Sequence, residues 1–582
     1  MNNIKKYSSE KNVQLLVSIL KEYNIHRVII SPGTTNIEFV ACLQYDNYFK
    51  LFSAPDERSA AYMACGMSLE SGEPVVLSCT GATASRNYMP GLTEAYYQKL
   101  PIIAVTSSQL TYRIGNLHPQ AIDRSKSPKD VCVCKIQIDP IVNDNDEKYC
   151  IQLLNKALLT IGSKRQGPIH INLAANISCK FDVDKLPKVN KINRFFKYDI
   201  LPELPNGKIG IFIGSHNRFE NDETNLIESF CKKNNAVVFA DHTSNYFGQH
   251  KFEYSLIGSQ DTHPEEMRLD LLIHLGEVSG EYSSLYKIKP SQVWRISEDG
   301  CLRDTFGSLK NVFQMKERDF FSYYANTNTN NENQHPEYLN SLLEKDCYLR
   351  SLIKELPFSN IWSAYQIHNA LPEGSSIHLG ILNSLRSWNF FPVGNHETYS
   401  NVGGFGIDGD ISSLIGASLA NPKKIFFGFL GDLAFFYDIN VLGNRHIGKN
   451  LRIMLINNGL GTEFRQYNHP ANAFGNKANS FIAAEGHYGH KSSQLVKHIA
   501  VNLGFKYLYA KNKTEFNKVK GEFLSPDTTT SIIFELFTSQ KDESDALRIM
   551  RNLEPKTFKE YLIGGGKTVT RAFKQKIKSI LR

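Results

Sequence analysis

Two polar turns, each directly after a short apolar run, constrain this chain more than any other feature of its sequence. The first turn is Gly431, Asp432 and Leu433, after the run at residues 424–430. The second is Asn457 and Asn458, after the run at residues 451–456. Short continuous apolar runs are typical of buried parallel strands. We therefore predict that Asp432 and Asn458 lie at the carboxyl ends of neighbouring strands, where doubly wound α/β sheets bind ligands.

These turns also supply a set of oxygen ligands. Asp432 offers a carboxylate, Asn458 an amide oxygen and Leu460 a backbone carbonyl. Hard cations such as Mg²⁺ and Ca²⁺ take oxygen ligands, and Mg²⁺ commonly keeps substrate phosphates in its shell. Gly431 and Gly461 let the backbone approach a ligand closely. The alternative is a strand-end aspartate that caps a helix and an Asn-rich turn, neither of which binds anything.

The N-terminal third alternates short apolar strands with helical segments, which predicts a parallel sheet with helices on both faces. The predicted strands are residues 27–30, 50–53, 74–78 and 101–105. Glu57 directly follows the second of these strands and precedes a predicted helix at residues 59–69. A carboxylate there can simply cap the helix. Alternatively, a partly buried carboxyl group can exchange a proton with an aromatic nitrogen of a ligand.

The pattern of motifs resembles that of thiamine diphosphate (ThDP) enzymes. In that superfamily Gly-Asp-Gly, followed at a similar distance by Asn-Asn, holds the diphosphate and the metal ion, and here Leu433 replaces the last glycine. The branch that the chain most resembles is the menaquinone-pathway SEPHCHC synthases (2-succinyl-5-enolpyruvyl-6-hydroxy-3-cyclohexene-1-carboxylate synthases). Those enzymes join a unit derived from 2-oxoglutarate to isochorismate. The segments that carry this resemblance are residues 31–33, 53–61, 79–85, 87–90, 120–122, 167–172, 383–385 and 401–409.

The resemblance implies a role for particular residues. Glu57 would activate the cofactor, Gln120 would line the reaction site, and Ile407 would wedge ThDP into its bent form. Asp432, Asn458 and the Leu460 carbonyl would hold Mg²⁺. The other residues that it places against the cofactor are Thr80, Gly81, Gly431, Leu433 and Gly461. Related enzymes place ThDP between the first domain of one subunit and the third domain of another, which implies a homodimer or homotetramer.

The implied fold class is α/β, with three doubly wound parallel-sheet domains. We predict a pyrimidine-binding domain at residues 1–182, a middle domain at 207–325, a diphosphate-binding domain at 338–545 and a basic extension at 546–582. The glycines between Gly210 and Gly214 can be interpreted as a nucleotide loop, but plain α/β architecture is favoured. The basic tail can bind a membrane surface or a partner, or pack as a helix on its own subunit.

The substrate motifs of the synthase branch are not kept. Arginines suit bidentate carboxylate recognition, yet this chain has Thr35, Gln109 and Val402 at three positions where the synthases carry arginine. We therefore expect another 2-oxo acid and an acceptor other than isochorismate. The candidate substrate residues are Thr34, Thr35, Asn383, Arg386, Arg465 and His469. For His469 an ordinary solvated loop histidine is the alternative.

The composition of the chain indicates its cellular compartment and limits the classes of partner that we expect. The 582 residues suffice for three or four domains, and a net charge of +8 does not demand nucleic-acid binding. The N-terminus lacks the apolar core of a signal peptide, and no apolar stretch has transmembrane length. The ten cysteines are scattered without paired spacing, which fits a reducing cytoplasm.

We therefore predict a cytoplasmic Mg²⁺- and ThDP-dependent enzyme that decarboxylates a small 2-oxo acid and joins the resulting carbanion to an acceptor, a carboligase. One alternative is a simple ThDP-dependent 2-oxo acid decarboxylase. Another is a non-catalytic scaffold protein with the same fold, but a scaffold has no need of the carboxylate of Glu57.

Overall fold

Three sheets built mainly of parallel strands, with helices between the strands, form the framework of the protein. The computed structural model describes residues 6–108, 110–161, 167–261, 265–326, 336–487, 491–527 and 529–554. The chain divides into two compact units: Met1–Phe195 with Cys301–Val312, and Phe196–Gly300 with Phe313–Arg582. We describe each unit by itself.

The first unit contains one six-stranded sheet and a small antiparallel ribbon. Its elements are β1 (Tyr7–Ser8), α1 (Lys11–Glu22), β2 (Arg27–Ile30), α2 (Ile37–Gln44), β3 (Lys50–Ser53), α3 (Glu57–Ser71), β4 (Val75–Cys79), α4 (Ala82–Asn87), α5 (Met89–Tyr97), β5 (Ile102–Ser108), β6 (Cys134–Ile138), α6 (Asp144–Ile161), β7 (Ile169–Ala174), β8 (Phe181–Val183) and β9 (Asn193–Phe196). The sheet has the order β3-β2-β4-β5-β7-β6, and each neighbouring pair is parallel. Strands β1 and β8 form the ribbon.

Alternate residues of this sheet face two separate cores. Val28 and Ile103 belong to the core that includes α1 and α6. Ile29 and Ala104 belong to the core that includes α3 and α5. Successive strand residues point to opposite faces, so these strands bury both faces of the sheet. That burial explains why their sequences are continuous apolar runs rather than alternating patterns.

The second unit begins with the middle sheet. The elements of this part of the chain, in sequence order, are β10 (Ile209–Ile213), α7 (Asn221–Asn234), β11 (Val237–Ala240), β12 (Lys251–Glu253), α8 (Ser255–Ser259), β13 (Arg268–Leu275), β14 (Lys289–Ile296), β15 (Leu309–Gln314), α9 (Glu317–Asn326) and α10 (Glu337–Ser351). Five strands run in the order β12-β11-β10-β13-β14 and are parallel. Gly210 lies inside β10, where an added Cβ would lie 2.9 Å from Leu269 and from Phe239. Close packing therefore accounts for this glycine without a nucleotide loop.

The third sheet carries the two turns from which the sequence argument started. Its elements are α11 (Asn360–Ile367), β16 (Ser376–Leu379), α12 (Asn383–Asn389), β17 (Glu397–Tyr399), α13 (Asp410–Ala420), β18 (Phe426–Gly431), α14 (Asp432–Tyr437), β19 (Leu451–Asn457), α15 (Leu495–Asn502), β20 (Lys506–Ala510), α16 (Lys513–Phe523), β21 (Ile532–Phe537) and α17 (Gln540–Arg551). The order is β17-β16-β18-β19-β21-β20, with all pairs parallel. Short 3₁₀ helices at Thr462–Arg465 and Pro470–Ala478 follow β19.

In each sheet the chain adds strands first on one side of a strand and then on its other side. The chain goes from β2 to β3 on one side and then returns to β4 on the other side, and β10 and β16 are flanked in the same way. Such a reversal separates the loops at the carboxyl ends of two adjacent strands and leaves a crevice. The predicted α/β class with three doubly wound parallel sheets is therefore confirmed.

The domain boundaries given above remain a prediction. From residue 555 onward the predicted basic extension at residues 546–582 lies outside the described residues. Among the helices that are described, none combines the length and the apolar character needed to cross a bilayer.

Candidate active site

Asp432 ties together the ends of two neighbouring strands. Strand β18 ends at Gly431 and its parallel neighbour β19 ends at Asn457, as the sequence predicts. The side chain of Asp432 is 5% exposed. Its Oδ1 accepts a hydrogen bond from the Leu433 N–H (2.8 Å), and its Oδ2 accepts from the N–H groups of Asn458 (3.3 Å) and Gly459 (2.6 Å). These bonds fix the turn and favour an ionised carboxylate.

Asn458 adds an oxygen that has no partner among the described residues. Its side-chain Oδ1 is buried and makes no hydrogen bond within the part of the chain that the structure describes, although buried polar atoms nearly always find a partner. The Leu460 carbonyl accepts only a long bond, 3.4 Å, from Thr462 Oγ1 among the bonds recorded for it. The described residues contain no cluster of three or more His, Cys, Asp or Glu side chains suited to a metal ion. An oxygen set with one carboxylate is instead what Mg²⁺ uses when a ligand's phosphates complete its shell, so these residues fit the predicted ion.

Small and apolar residues shape the approach to this turn. An added Cβ at Gly461 would lie 3.0 Å from Phe464 and 3.3 Å from Leu433, so a larger residue would crowd the turn. Ile407 is half-buried and packs against the core that contains Ile411. The predicted wedge residue is therefore held from one side by the helix that it precedes.

Arg386 has a carboxylate partner of its own. It lies on α12 and is 8% exposed. Its guanidinium donates to Glu463 Oε2 at 2.6 Å and Oε1 at 3.1 Å, and also to Asn383 Oδ1. Burial by itself would raise the pKa of Glu463, but Arg386 lowers it below its ordinary value. The pair is thus a buried, bidentate ion pair, and Arg386 does not present a free guanidinium to a substrate.

The other predicted substrate residues of the second unit also have structural contacts. Arg465 is 5% exposed and donates to the carbonyl of Gly475. His469 accepts a hydrogen bond at Nδ1 from the Ala471 N–H (3.1 Å), which caps the 3₁₀ helix Pro470–Ala478. Their assignment to substrate binding stays a prediction, and these contacts do not support it.

In the first unit the predicted residues gather at the carboxyl ends of β2 and β4. An added Cβ at Gly33 would collide with the side chain of Thr80. At Gly81 it would lie 3.0 Å from the Ser107 carbonyl and 3.8 Å from the Gln120 carbonyl. The loops that follow β2, β4 and β5 are therefore in contact.

Two further predicted residues and the backbone of Gln120 complete that edge. The Oγ1 of Thr35 is buried and has no hydrogen-bond partner in the described segments, whereas Thr34 is exposed. Gln120 is exposed and has a positive φ of 60°, an uncommon conformation for a residue other than glycine.

Glu57 opens α3 without serving as its cap. The N-cap of α3 is Asp56, whose side chain accepts from the Ser59 N–H at 2.9 Å. The recorded side-chain hydrogen bond of Glu57 is a long one, 3.4 Å, from Asn87 Nδ2 to Oε2. Asp56 therefore takes the capping role that sequence alone allowed for Glu57, and the Glu57 carboxylate is available to a ligand.

Sequence reasoning missed a group of cations beside Gly81. Arg124 is 8% exposed and donates to Thr106 Oγ1 at 2.7 Å and to the Ser107 carbonyl. Burial lowers the pKa of Arg124 to about 10. Arg86, Lys126 and Lys135 line the same small cavity. The signal available in the sequence was the basic stretch that begins four positions after Gln120.

Residues 11–127 match the family described as "thiamine pyrophosphate enzyme, N-terminal TPP binding domain". This segment contains Glu57, Thr80, Gly81 and Gln120, the residues gathered at one edge of the first sheet. Over this segment the chain is similar to the thiamine diphosphate-dependent enzymes.

Curated relatives cover nearly the whole length of this chain. A 2-succinyl-5-enolpyruvyl-6-hydroxy-3-cyclohexene-1-carboxylate synthase from Bacteroides fragilis is 29% identical over 93% of this chain and 98% of its own. Synthases of the same name from Bacteroides thetaiotaomicron and Flavobacterium psychrophilum are 28% and 27% identical, over 93% and 91% of this chain and 98% and 96% of theirs. The recognition of this branch from sequence motifs is confirmed.

Proposed function

We propose that the protein is a Mg²⁺- and ThDP-dependent enzyme that decarboxylates a 2-oxo acid and joins the resulting carbanion to an acceptor. The observation that carries this proposal is the turn in which Asp432 bridges two strand ends while the buried Oδ1 of Asn458 has no partner. Asp432, Asn458 and the Leu460 carbonyl would hold Mg²⁺. Bound ThDP would supply the nucleophilic carbon and the electron sink for decarboxylation.

The protein's own residues would position the cofactor and move a proton. Gly431, Leu433 and Gly461 would leave room for the diphosphate, Ile407 would support the bent cofactor, and Glu57 would exchange a proton with the aminopyrimidine. Thr80 and Gly81 would contact the pyrimidine ring, and Gln120 would contact the reacting unit. We further propose a homodimer or homotetramer, because related enzymes complete the cofactor site between subunits.

Two observations bear on the substrate, and they favour different candidates. The arginines of the second unit that we considered as carboxylate anchors are bound to Glu463 and to the Gly475 carbonyl, which supports a substrate pair with fewer carboxylates than 2-oxoglutarate and isochorismate. The relatives' shared name and the cations around Arg124 support the relatives' own reaction as a second candidate. Cations beside Gly81 can hold carboxylates even though they stand at other sequence positions.

The first experiment tests the metal and cofactor site. Metal-stripped protein is titrated calorimetrically with ThDP, with and without Mg²⁺, for the wild type, Asp432→Asn and Asp438→Asn. Asp438 is a matched control, because it is a buried aspartate at the other end of the short helix α14. We expect metal-dependent binding that Asp432→Asn weakens by about 100-fold or more and Asp438→Asn leaves intact, since even supporting residues of metal sites contribute about 10–100-fold. Absence of ThDP binding to folded wild-type protein would refute the proposal and favour the scaffold alternative.

The second experiment separates the candidate reactions. Carbon dioxide release is measured from a panel of 2-oxo acids that includes 2-oxoglutarate, with and without isochorismate, aldehydes or enones. A product formed only with an acceptor supports carboligation, whereas acceptor-independent aldehyde formation supports the simple decarboxylase. Glu57→Gln should lower turnover by about 100-fold or more and preserve ThDP binding, while Glu70→Gln on the exposed face of the same helix should change neither.

A further inference from the structure

The second unit contains a large cavity beside the carboxyl ends of the middle sheet's strands, and its lining does not include Asp432. Its volume is about 690 Å³, within the usual range for small-molecule sites. The chain leaves β10 towards β11 and later returns to β13 on the other side of β10. The crevice created by that reversal is the general place for ligands in open parallel sheets.

Two loops that line this cavity are joined by backbone hydrogen bonds. The Ser215 N–H donates to the Val278 carbonyl (3.2 Å), and the Glu277 N–H donates to the Ser215 carbonyl (2.9 Å). An added Cβ at Gly214 would collide with the Glu277 carbonyl, so the glycine is needed for this close approach. These two loops therefore satisfy part of each other's backbone hydrogen-bonding capacity.

The walls are predominantly acidic. Five carboxylates line the cavity, from Glu223, Glu277, Glu298, Asp299 and Glu317, against the two cations of Arg295 and Lys316. Arg295 lies 3.3 Å from Glu277, which balances one of these charges. Glu298 and Asp299 are exposed, and the Glu317 carboxylate lies 3.6 Å from His216 Nε2. Burial raises the pKa of Glu317, and its neighbour Glu223 raises it further, although His216 and Arg295 oppose them.

The spacing of these acids excludes a simple metal site. Among the described residues no three His, Cys, Asp or Glu side chains lie close enough together to hold one ion. An extended cation can instead reach several separated carboxylates across a cavity of this size. Hydroxyl and amide groups between them, from Ser215, Asn217, Thr243, Asn245, Ser297, Thr398 and Ser400, can accept the N–H groups of such a ligand.

We propose that this middle-domain cavity binds a small organic cation that carries ammonium groups, with the chemistry shared by polyamines and amino sugars. The excess of carboxylates attracts a positive charge and repels phosphates, so nucleotides are disfavoured. Val402, one of the positions where the synthases carry arginine, also lines this cavity, but the test of amine binding does not depend on ThDP turnover.

The test is calorimetric titration of the full-length protein with four probes at about 0.15 M salt, where long-range surface effects are largely screened. The probes are spermidine, glucosamine, neutral N-acetylglucosamine and anionic AMP. We expect at least one of the two amines to bind with a dissociation constant of about 1 mM or lower, and at least tenfold more tightly than N-acetylglucosamine and AMP. Tighter spermidine binding would indicate a polyamine, and tighter glucosamine binding an amino sugar.

Variants connect that binding to the cavity. Glu298→Lys and Glu317→Gln should each weaken amine binding by about tenfold or more, while Glu344→Lys, which reverses an exposed charge on α10 outside the cavity, should not. Unchanged melting temperatures in all three variants would show that they remain folded. The proposal is overturned if neither amine binds at 10 mM, if AMP or N-acetylglucosamine binds as tightly, or if the cavity variants bind the amines like the wild type.

Discussion

The ion pair between Arg386 and Glu463 changes the role that we expect for Arg386. An arginine near a cofactor turn is a natural candidate for holding a substrate carboxylate. Here both donor groups of its planar end point at Glu463, and Tyr282 donates to the same carboxylate at 3.4 Å. Separating a buried ion pair leaves an uncompensated charge, which is costly. A substrate carboxylate would therefore have to displace Glu463, and we expect it to be recognised elsewhere.

His170 gives a prediction about pH at the same scale. It is 8% exposed on β7, and its Nε2 lies 2.8 Å from Thr106 Oγ1. Burial, helped by the neighbouring cations Lys135, Arg124 and Arg86, lowers its pKa to about 3. An unfolded chain takes up a proton on histidine near pH 6.5, whereas the folded protein does not. Above pH 6.5 this histidine therefore does not lower the free energy of unfolding. As the pH falls from 6.5 towards 3, it lowers that free energy progressively.

The expected size follows from about 1.4 kcal/mol for each pH unit in that window. Between pH 7 and pH 5 the first unit should lose about 2 kcal/mol of opening free energy in the wild type beyond the loss in His170→Gln. Hydrogen exchange of peptides that cover β7 measures this, and the exposed His446→Gln provides the comparison. Equal pH slopes for the wild type and His170→Gln would contradict the prediction.

At the scale of elements, two helical glycines should respond in opposite ways to the same added methyl group. Gly521 lies on α16, and an added Cβ there meets nothing within 4 Å. Gly91 lies on α5 against α3, the helix that Glu57 opens, and its added Cβ would lie 2.9 Å from the Ala61 backbone carbon. Gly521→Ala should stabilise its helix by about 0.5–1 kcal/mol, and Gly91→Ala should destabilise the first unit by about 1–3 kcal/mol.

Hydrogen exchange distinguishes the two substitutions, because the effect of each is measured in peptides that cover its own helix and the helices it contacts. Slower exchange in α16 and faster exchange in α3 and α5 is the expected result. Similar effects for both substitutions would show that the contact between α3 and α5 does not require a glycine. If Gly91→Ala also lowered turnover without loss of ThDP binding, the α3–α5 contact would be a positioning contact for Glu57.

At the scale of the whole molecule, α3 offers a surface for subunit association. Tyr62, Met63 and Leu69 are 48%, 44% and 56% exposed on this helix, and clustered exposed apolar side chains mark interaction sites. Light scattering should show a dimer or tetramer. The double variant Tyr62→Asp and Met63→Asp should shift it towards the monomer and weaken ThDP binding, whereas Tyr198→Asp, at a position that is 92% exposed, should not. A wild-type monomer that binds ThDP tightly would contradict the proposed assembly.

Local patterns sufficed for much of the framework. Continuous apolar runs predicted buried parallel strands because such strands bury both faces, and polar turns marked where they end. Asp432 and Asn458 were placed at adjacent strand ends from those patterns alone. The same logic located the strand-end loops at residues 31–33 and 80–81, but their contact depends on the adjacency of β2 and β4, which only the strand order shows. The overlap between the Glu57 position and a helix start was also predictable, but not which of Asp56 and Glu57 would cap the helix.

The sequence by itself therefore determined the α/β class and the positions of the strand-end turns, because these depend on residues close along the chain, and its motifs carried the resemblance to ThDP enzymes. Only the tertiary structure decided that Arg386 is neutralised by Glu463, that Arg124 is buried against Thr106, and that loops from several strands enclose an acidic cavity. Each of these joins residues that are distant in sequence, and their meeting depends on strand order and on side-chain direction. Neither of those is encoded in the periodicity of a single segment.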